Sequence, residues 1–522
     1  MADGETQARR RGGRAARQAE RAAPLHEDLR PIRPGMAGGW FVPLSGADAT
    51  RIHGAVLELL ETVGIADPIP SCVEAVTAAG GELSADGRLL LPRALVEDMV
   101  AKAARNITLH AQEPAHDMAL SGKNVHFGTA GAAVFMVDAE TGEYRDSTLA
   151  DLYDIARLVD RLDNIHFFQR PVTARDMTSG RALDINTLYA CISGTTKHVG
   201  TSFVSAMNVE EGLRLLHIVC GGEDKWRTRP FVSMSSCFVV PPLRFATDAC
   251  GALEAGVRGG MPILLLSAGQ AGATSPAALA GAVVQQMAEV LAGIVYVNAL
   301  KPGHPAIIGP WPFVSDLRSG AMSGGSGEQA LLSAACAQMA HFYDLPGGLP
   351  AGMTDSKVPD AQSGYEKGYT NAIVGVAGAN LVYESAGMHA SLLGCCLESF
   401  VIDNDILGAA MRMVRGIEVT DESLSVDVIR QVCTEGPGHF LGHSQTLSLM
   451  QREYFYPMVG DRTSPKEWKE IGSTNVVQKA QDRVREILSA HYPGHIGEPT
   501  DKHLRELFGI ELPRTNMQPG QG

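Results

Sequence analysis

Between Gly347 and Gly368 the chain reads GGLPAGMTDSKVPDAQSGYEKG, with two Lys, two Asp, one Glu and one Tyr set among glycines and prolines. Asp355 and Lys357 stand two residues apart in it, and Glu384 follows in NLVYESAGMH. Carboxylates and an ammonium group at that density can do general acid–base chemistry. They can equally pair with each other and solvate a loop. His439 and His443, in GHFLGHSQT, are four apart, a helical spacing that suits a shared metal, a substrate contact or plain structure. No GxGxxG follows a first strand, GxxxxGK[ST] and HExxH are missing, and Ser267 is not in a GxSxG elbow.

To act together these groups need elements that carry them to one place. Residues 36–155 read as an N-terminal α+β region. DATRIHGAVLELLETVGI and SCVEAVTAAGG have helical spacing, and GRLLLPRALVEDMVAKA is a short strand and then a helix with Pro92 near its start. NITLHA and NVHFGTAGAAVFMVD read as strands of the same region. From 156 onward, short apolar runs alternate with helical stretches. The runs are NIHFFQRPV, VGTSFVS, PFVSMSSCFV, PILLLSA, AIIGPWPF, GGLPAGM, NLVYES and SFVIDND. Runs such as PILLLSA are apolar on both faces, as parallel strands sheathed by helices must be. Eight such units predict an α/β fold with a (β/α)8 TIM barrel over 156–415; an open doubly wound sheet is the competing arrangement. The spacing further predicts a C-terminal helical cap over 416–510, a disordered basic arm over 1–35 and a disordered tail over 511–522. Barrel sites lie at the C-terminal ends of the strands. Those ends then present Arg170, Trp311, Phe313, Asp355, Lys357, Tyr383, Glu384 and Asp403–Asp405, which gives the 347–368 loop the address of a functional loop.

The totals bound the function classes. The chain has 522 residues, 45% apolar and 20% charged, with a formal net charge of -14, which argues against a nucleic-acid partner. Its nine cysteines form no CxxC, and adjacent Cys395 and Cys396 lie in an apolar stretch; this fits a reducing cytoplasm. The basic N-terminus lacks an apolar signal segment, and no uninterrupted apolar run has the roughly 18 residues of a membrane span. A cytoplasmic enzyme without a membrane partner is the expectation, with a homo-oligomer as its expected assembly.

Three stretches, GMTDSKVPDAQSGYEKG, NLVYESAGMH and GPGHFLGHSQTLSLMQREYFYP, resemble the trimethylamine methyltransferase family, and the likeness runs over nearly the whole chain beyond the arm. The resemblance implies a (β/α)8 barrel that moves a methyl group from a methylated amine to a corrinoid protein. It also implies that the corrinoid (cobalamin) is carried by that cognate partner, with no metal and no tightly bound cofactor here; no DxHxxG is present in this sequence. Archaeal trimethylamine enzymes of the family use pyrrolysine, which this chain lacks, so it is similar to the non-pyrrolysine branch that includes glycine betaine methyltransferases. A quaternary ammonium leaves as a neutral amine and needs no acid from the protein. Glycine betaine or a related quaternary amine is therefore the expected substrate; carnitine, choline, proline betaine or a tertiary methylamine are alternatives. On this reading Asp355 and Glu384 are the catalytic candidates. Trp311, Phe313, Tyr365 and Tyr383 are aromatic faces for the cation, and Arg170, Lys357, His389 and His439 are donors for a substrate carboxylate. Two rivals stand beside it. One is a non-catalytic binder of quaternary amines. The other is an unrelated barrel enzyme using Asp355, Lys357 and Glu384 as acid and base.

Overall fold

Eight strand–helix units follow one another between Asn124 and Arg415. They are β1 (Asn124–Phe127) with α1 (Leu149–Asp160), β2 (Phe167–Gln169) with α2 (Gly180–Gly194), β3 (His198–Thr201) with α3 (Ala206–Cys220), and β4 (Val232–Ser236) with α4 (Thr247–Arg258). Next come β5 (Ile263–Ser267) with α5 (Leu279–Leu300), β6 (Ala306–Pro310) with α6 (Gly327–Phe342), β7 (Gly348–Pro350) with α7 (Ala361–Ala377), and β8 (Leu381–Tyr383) with α8 (Leu397–Arg415). This computed structural model describes residue 26, residues 29–436 and residues 438–519. Most of the arm expected over 1–35, and the last residues of the tail, lie outside the described residues. The chain divides into two compact units, Pro34–Arg415 with Pro457–Gly522, and Met1–Arg33 with Gly416–Tyr456. All eight strand–helix units belong to the first.

Local chemistry sets where each helix begins. Thr148, Ser179, Ser205, Ser326 and Asp360 cap α1, α2, α3, α6 and α7, each side chain accepting from the backbone N–H three residues on. Each cap ends the loop that leaves a strand, so it fixes how much chain lies over the strand's C-terminal end. Strands β2 to β6 form a parallel sheet, with register running from Ile263↔Ala306 to Ser267↔Pro310 between β5 and β6. A second sheet holds β7, β8 and β1 in parallel, with the antiparallel pair Met36–Ala37 on the far edge of β1. Single parallel bridges, Gly128↔Phe167 and Ile308↔Gly347, join the two sheets at β1–β2 and at β6–β7. The result is a mixed α/β core.

Two strand assignments are corrected. NVHF, expected in the N-terminal region, pairs with β8 as a member of the parallel core. SFVIDND, expected as the eighth strand, lies within α8. The longer pattern explains this: Phe400, Val401, Asn404, Leu407, Met411 and Val414 are all buried, at helical spacing. Asp403 and Asp405 therefore leave the strand-end set.

Helix α5 is 22 residues long and is the one described helix long and apolar enough to cross a membrane. It is a core helix here, packed on β5 and β6 inside and on helices Gly46–Thr62, Pro70–Ala78 and Arg93–Lys102 outside. The C-terminal helix Val476–Ala490 packs on α8 and α1, and Glu498–Phe508 packs on α3. Within the tail, Leu512 is buried and Arg514 pairs with Asp501 at 2.8 Å.

Three histidines are built into this core in the neutral form. His126 meets the Asn380 carbonyl, His198 lies between the His110 carbonyl and Ser233 Oγ, and His304 meets the Met261 carbonyl. Burial holds all three down at about 4. The unfolded chain takes up these protons near pH 6.5 and the folded chain only near pH 4. Stability is therefore lost as pH falls through that window, by about 3 kcal/mol per histidine at most. Urea midpoints should drop steeply between pH 6.5 and 4; a flat profile there would contradict the neutral assignment.

Candidate active site

Glu384 follows the last residue of β8 and is 0% exposed. Neither of its carboxyl oxygens has a hydrogen-bond partner. Its φ of 59° lies in the left-handed region, which a non-glycine residue occupies at a cost of about 1–3 kcal/mol. The backbone is pinned on both sides: Ser385 N–H donates to the Gly128 carbonyl at 3.0 Å, and Asn371 Nδ2 donates to the Ser385 carbonyl at 3.1 Å. Burial pushes the carboxyl up to about 8, so it carries a proton at neutral pH. A strained, fully buried acid without a partner is an outlier for a folded protein and a marker of a ligand site.

Aromatic rings line the same strands. Tyr383 lies 4.9 Å from Phe167 and 5.5 Å from Trp311, and Trp311 lies 6.1 Å from Phe313. The chain Phe167–Tyr383–Trp311–Phe313 thus links β2, β8 and the end of β6. Trp311 is held by its Nε1, which donates to the Gly348 carbonyl at 3.1 Å. Two glycines make room for these rings: a Cβ on Gly348 would meet Tyr383 at 2.6 Å, and one on Gly128 would meet Phe167 at 2.4 Å. Two further buried polar atoms near strand ends lack partners, Gln169 Oε1 on β2 and Ser236 Oγ on β4. Buried polar atoms without partners and aromatic faces are the two kinds of group that line small-molecule pockets.

Arg170, one residue past β2, donates to Ser202 Oγ at 2.8 and 3.2 Å and to Thr173 Oγ1 at 3.4 Å. Among the described residues its side-chain hydrogen bonds are to these hydroxyls, and the Asp184 charge acts on it without a hydrogen bond. Burial lowers its pKa, though a guanidinium keeps its charge.

The other expected residues sit elsewhere. The Asp355 carboxylate accepts from Ser323 Oγ, Gly324 N–H and Ser391 Oγ at 2.7, 2.8 and 2.7 Å, tying together the loops after β6, β7 and β8. Lys357 is exposed, and its Nζ donates to the Asp355 carbonyl at 2.5 Å. Tyr365 is 59% exposed and stacks on Tyr369. His389 is buried against Ser399 Oγ at 2.7 Å, and burial, with the Lys367 ammonium, holds it well below the usual histidine range. His439 is exposed in the second unit. The polar wealth of 347–368 thus goes largely into building its own loop: Asp360 caps α7, Glu366 accepts from Thr354 Oγ1 and Asp355 N–H, and Lys367 pairs with Asp403. Phe167 was absent from the expected site. Its signal is the two-residue alternation Phe167, Gln169 along β2, which puts both on one face.

Among the described residues no three His, Cys, Asp or Glu side chains converge as a metal site. The family model for trimethylamine methyltransferase (MTTB) matches residues 10–509. The chain belongs to this family. It is 32% identical to the trimethylamine methyltransferase MttB of Desulfitobacterium hafniense, over 91% of this chain and 93% of that one. To the glycine betaine methyltransferase of Desulfitobacterium hafniense it is 31% identical, over 88% and 94% of the two chains. To the trimethylamine methyltransferase MttB of Methanosarcina thermophila it is 33% identical, over 84% and 91%. Its fold is that of the Methanosarcina barkeri monomethylamine methyltransferase, with a TM-score of 0.52 at 11% identity over 91% and 92% of the chains. This member of the trimethylamine methyltransferase family is therefore an enzyme, which sets aside the non-catalytic binder.

Proposed function

We propose that this enzyme moves a methyl group from a methylated amine to the corrinoid of a partner protein, and that the amine nitrogen binds at Glu384 among Tyr383, Trp311 and Phe167. The observation that carries the site is the buried, unpartnered Glu384 carboxyl. We further take the two sheets, joined by their single bridges, as one (β/α)8 barrel with this site at its C-terminal end. The corrinoid is assigned to the partner on the family resemblance, and when reduced it supplies the nucleophile for the methyl carbon.

The substrate expectation changes. Trimethylamine is named for two of the three relatives above, which supports a tertiary methylamine over glycine betaine. The expectation of a quaternary amine rested on the absence of pyrrolysine, because a tertiary amine needs an acid or a covalent helper from the protein. Glu384 is such an acid. Its proton and an entering tertiary amine form an ammonium–carboxylate pair with no net charge, which a dry pocket tolerates. The nitrogen then keeps the C–N electron pair as one methyl leaves, and departs as a neutral secondary amine. Tyr383 and Trp311 stabilise the cation by about 0.5–2 kcal/mol each and turn one methyl outward. Asp355 keeps the three loops together around this opening.

A second reading has one observation in its favour. Among the described residues the guanidinium of Arg170 hydrogen-bonds only to hydroxyls, and a substrate carboxylate, as in glycine betaine, would give it a paired partner. A panel of trimethylamine, glycine betaine, choline and carnitine, assayed with a reduced corrinoid protein, separates the two. Trimethylamine should be demethylated fastest, and Arg170→Gln should leave that rate nearly unchanged. Activity confined to glycine betaine, lost by about tenfold or more in Arg170→Gln, would select the second reading. No demethylation of any amine would contradict both.

A further inference from the structure

We infer that the buried Lys367–Asp403 pair positions Glu384, acting through the loop that follows β8. This rests on the reading that Glu384 receives the amine. Asp403 on α8 is 1% exposed and Lys367 on α7 is 0% exposed. Asp403 Oδ2 accepts from Lys367 Nζ at 2.6 Å and from Gly387 N–H at 2.7 Å. A buried ion pair contributes little net stability compared with an apolar pair of the same volume, so its presence asks for another role.

The second hydrogen bond supplies that role. Gly387 lies three residues after Glu384, has a φ of 87°, and is packed so closely that a Cβ would meet the Phe400 ring at 2.2 Å. Its carbonyl accepts from Cys396 N–H at 3.0 Å. Glu384, Ala390 and Ser391 in the same loop are also left-handed, at 59°, 48° and 62°. Non-glycine residues hold such angles only where their surroundings over-determine them. Asp403 grips this loop at Gly387, near its start, and Asp355 grips it at Ser391, near its middle. Lys367 aims the Asp403 carboxyl: burial pushes Asp403 up, and the Lys367 charge and hydrogen bond and the Gly387 N–H oppose this. His389 and Cys395, the other titratable groups that feel Lys367, are held neutral by burial. Asp403 touches no reacting atom on this account; it is a positioning residue.

Two double variants in the full chain test the inference. Lys367→Met with Asp403→Asn removes both charges and keeps an amide oxygen for Gly387 N–H. Lys367→Met with Asp403→Leu removes the charges and the acceptor. The readout is binding of trimethylammonium chloride by calorimetry, without the corrinoid partner, between about pH 6 and 9. The Asn pair should bind like the parent and keep the parent's loss of affinity below about pH 8. The Leu pair should bind about tenfold or more weakly, with that loss displaced toward the ordinary carboxylate range as Glu384 relaxes toward water. Equal affinity and equal pH dependence in the two pairs would overturn the inference. Should the Leu pair fail to fold, Asp403→Ala in the same Lys367→Met background replaces it. Glu384→Gln runs alongside: if it binds trimethylammonium like the parent, the reading of the site has failed, whatever the two pairs do.

Discussion

Glu384→Gln should lower kcat/KM for the amine by about 100- to 1,000-fold, the effect of truncating one partner of a desolvated charge pair. The same change should stabilise the empty enzyme at alkaline pH. The reason is linkage. Burial raises the folded-state value of Glu384 to about 8, against an ordinary value of 4.5. Between those values the folded state binds more protons than the unfolded state, so the parent loses stability as pH rises. By pH 8 the loss is of order 4 kcal/mol, and glutamine does not titrate. Thermal melts should therefore show Glu384→Gln well above the parent at pH 8, with the gap closing toward pH 5. A gap that does not change with pH, or a variant with full activity, would contradict the role.

Trp311→Leu should raise KM for the amine by roughly 2- to 30-fold, the range of a desolvated cation–π contact, with a smaller change in kcat. Leucine keeps an apolar filling but loses the ring face and the Nε1 hydrogen bond to the Gly348 carbonyl. Trp311→Ala would add a cavity cost of about 3–5 kcal/mol, which confounds binding with stability. The decisive comparison is charge-specific. The Leu variant should bind tetramethylammonium more weakly while binding an uncharged tert-butyl analogue as the parent does. Equal losses for both ligands would make Trp311 a packing residue only.

The repeated strand–helix rhythm was legible because β5 and β6 are apolar on both faces and the loops end in capping Ser, Thr and Asp residues. The register of the count was not. NVHF is no more apolar than its neighbours, and its membership in the core depends on pairing with β8, 254 residues away between His126 and Asn380. SFVIDND looks extended over seven residues and declares itself helical only over nineteen. At the site, Tyr383 and Glu384 were legible as the end of an apolar run, which is where the structure places them. Lys357 and Tyr365 were not, because a loop rich in charge looks the same whether it lines a pocket or builds itself. Both carboxylate oxygens of Asp355 accept hydrogen bonds from within the chain. The absence of partners around Glu384 is invisible in a sequence, since it depends on what three strands away fails to reach it.

The account stands on a protonated Glu384 that becomes the counter-ion of a bound amine. Calorimetry of tetramethylammonium binding at pH 6.5, in two buffers of different ionisation heat, counts the protons exchanged. About one proton should be released per cation bound by the parent, and none by any residual binding to Glu384→Gln. Binding by the parent with no proton released would mean that the cation rests somewhere else.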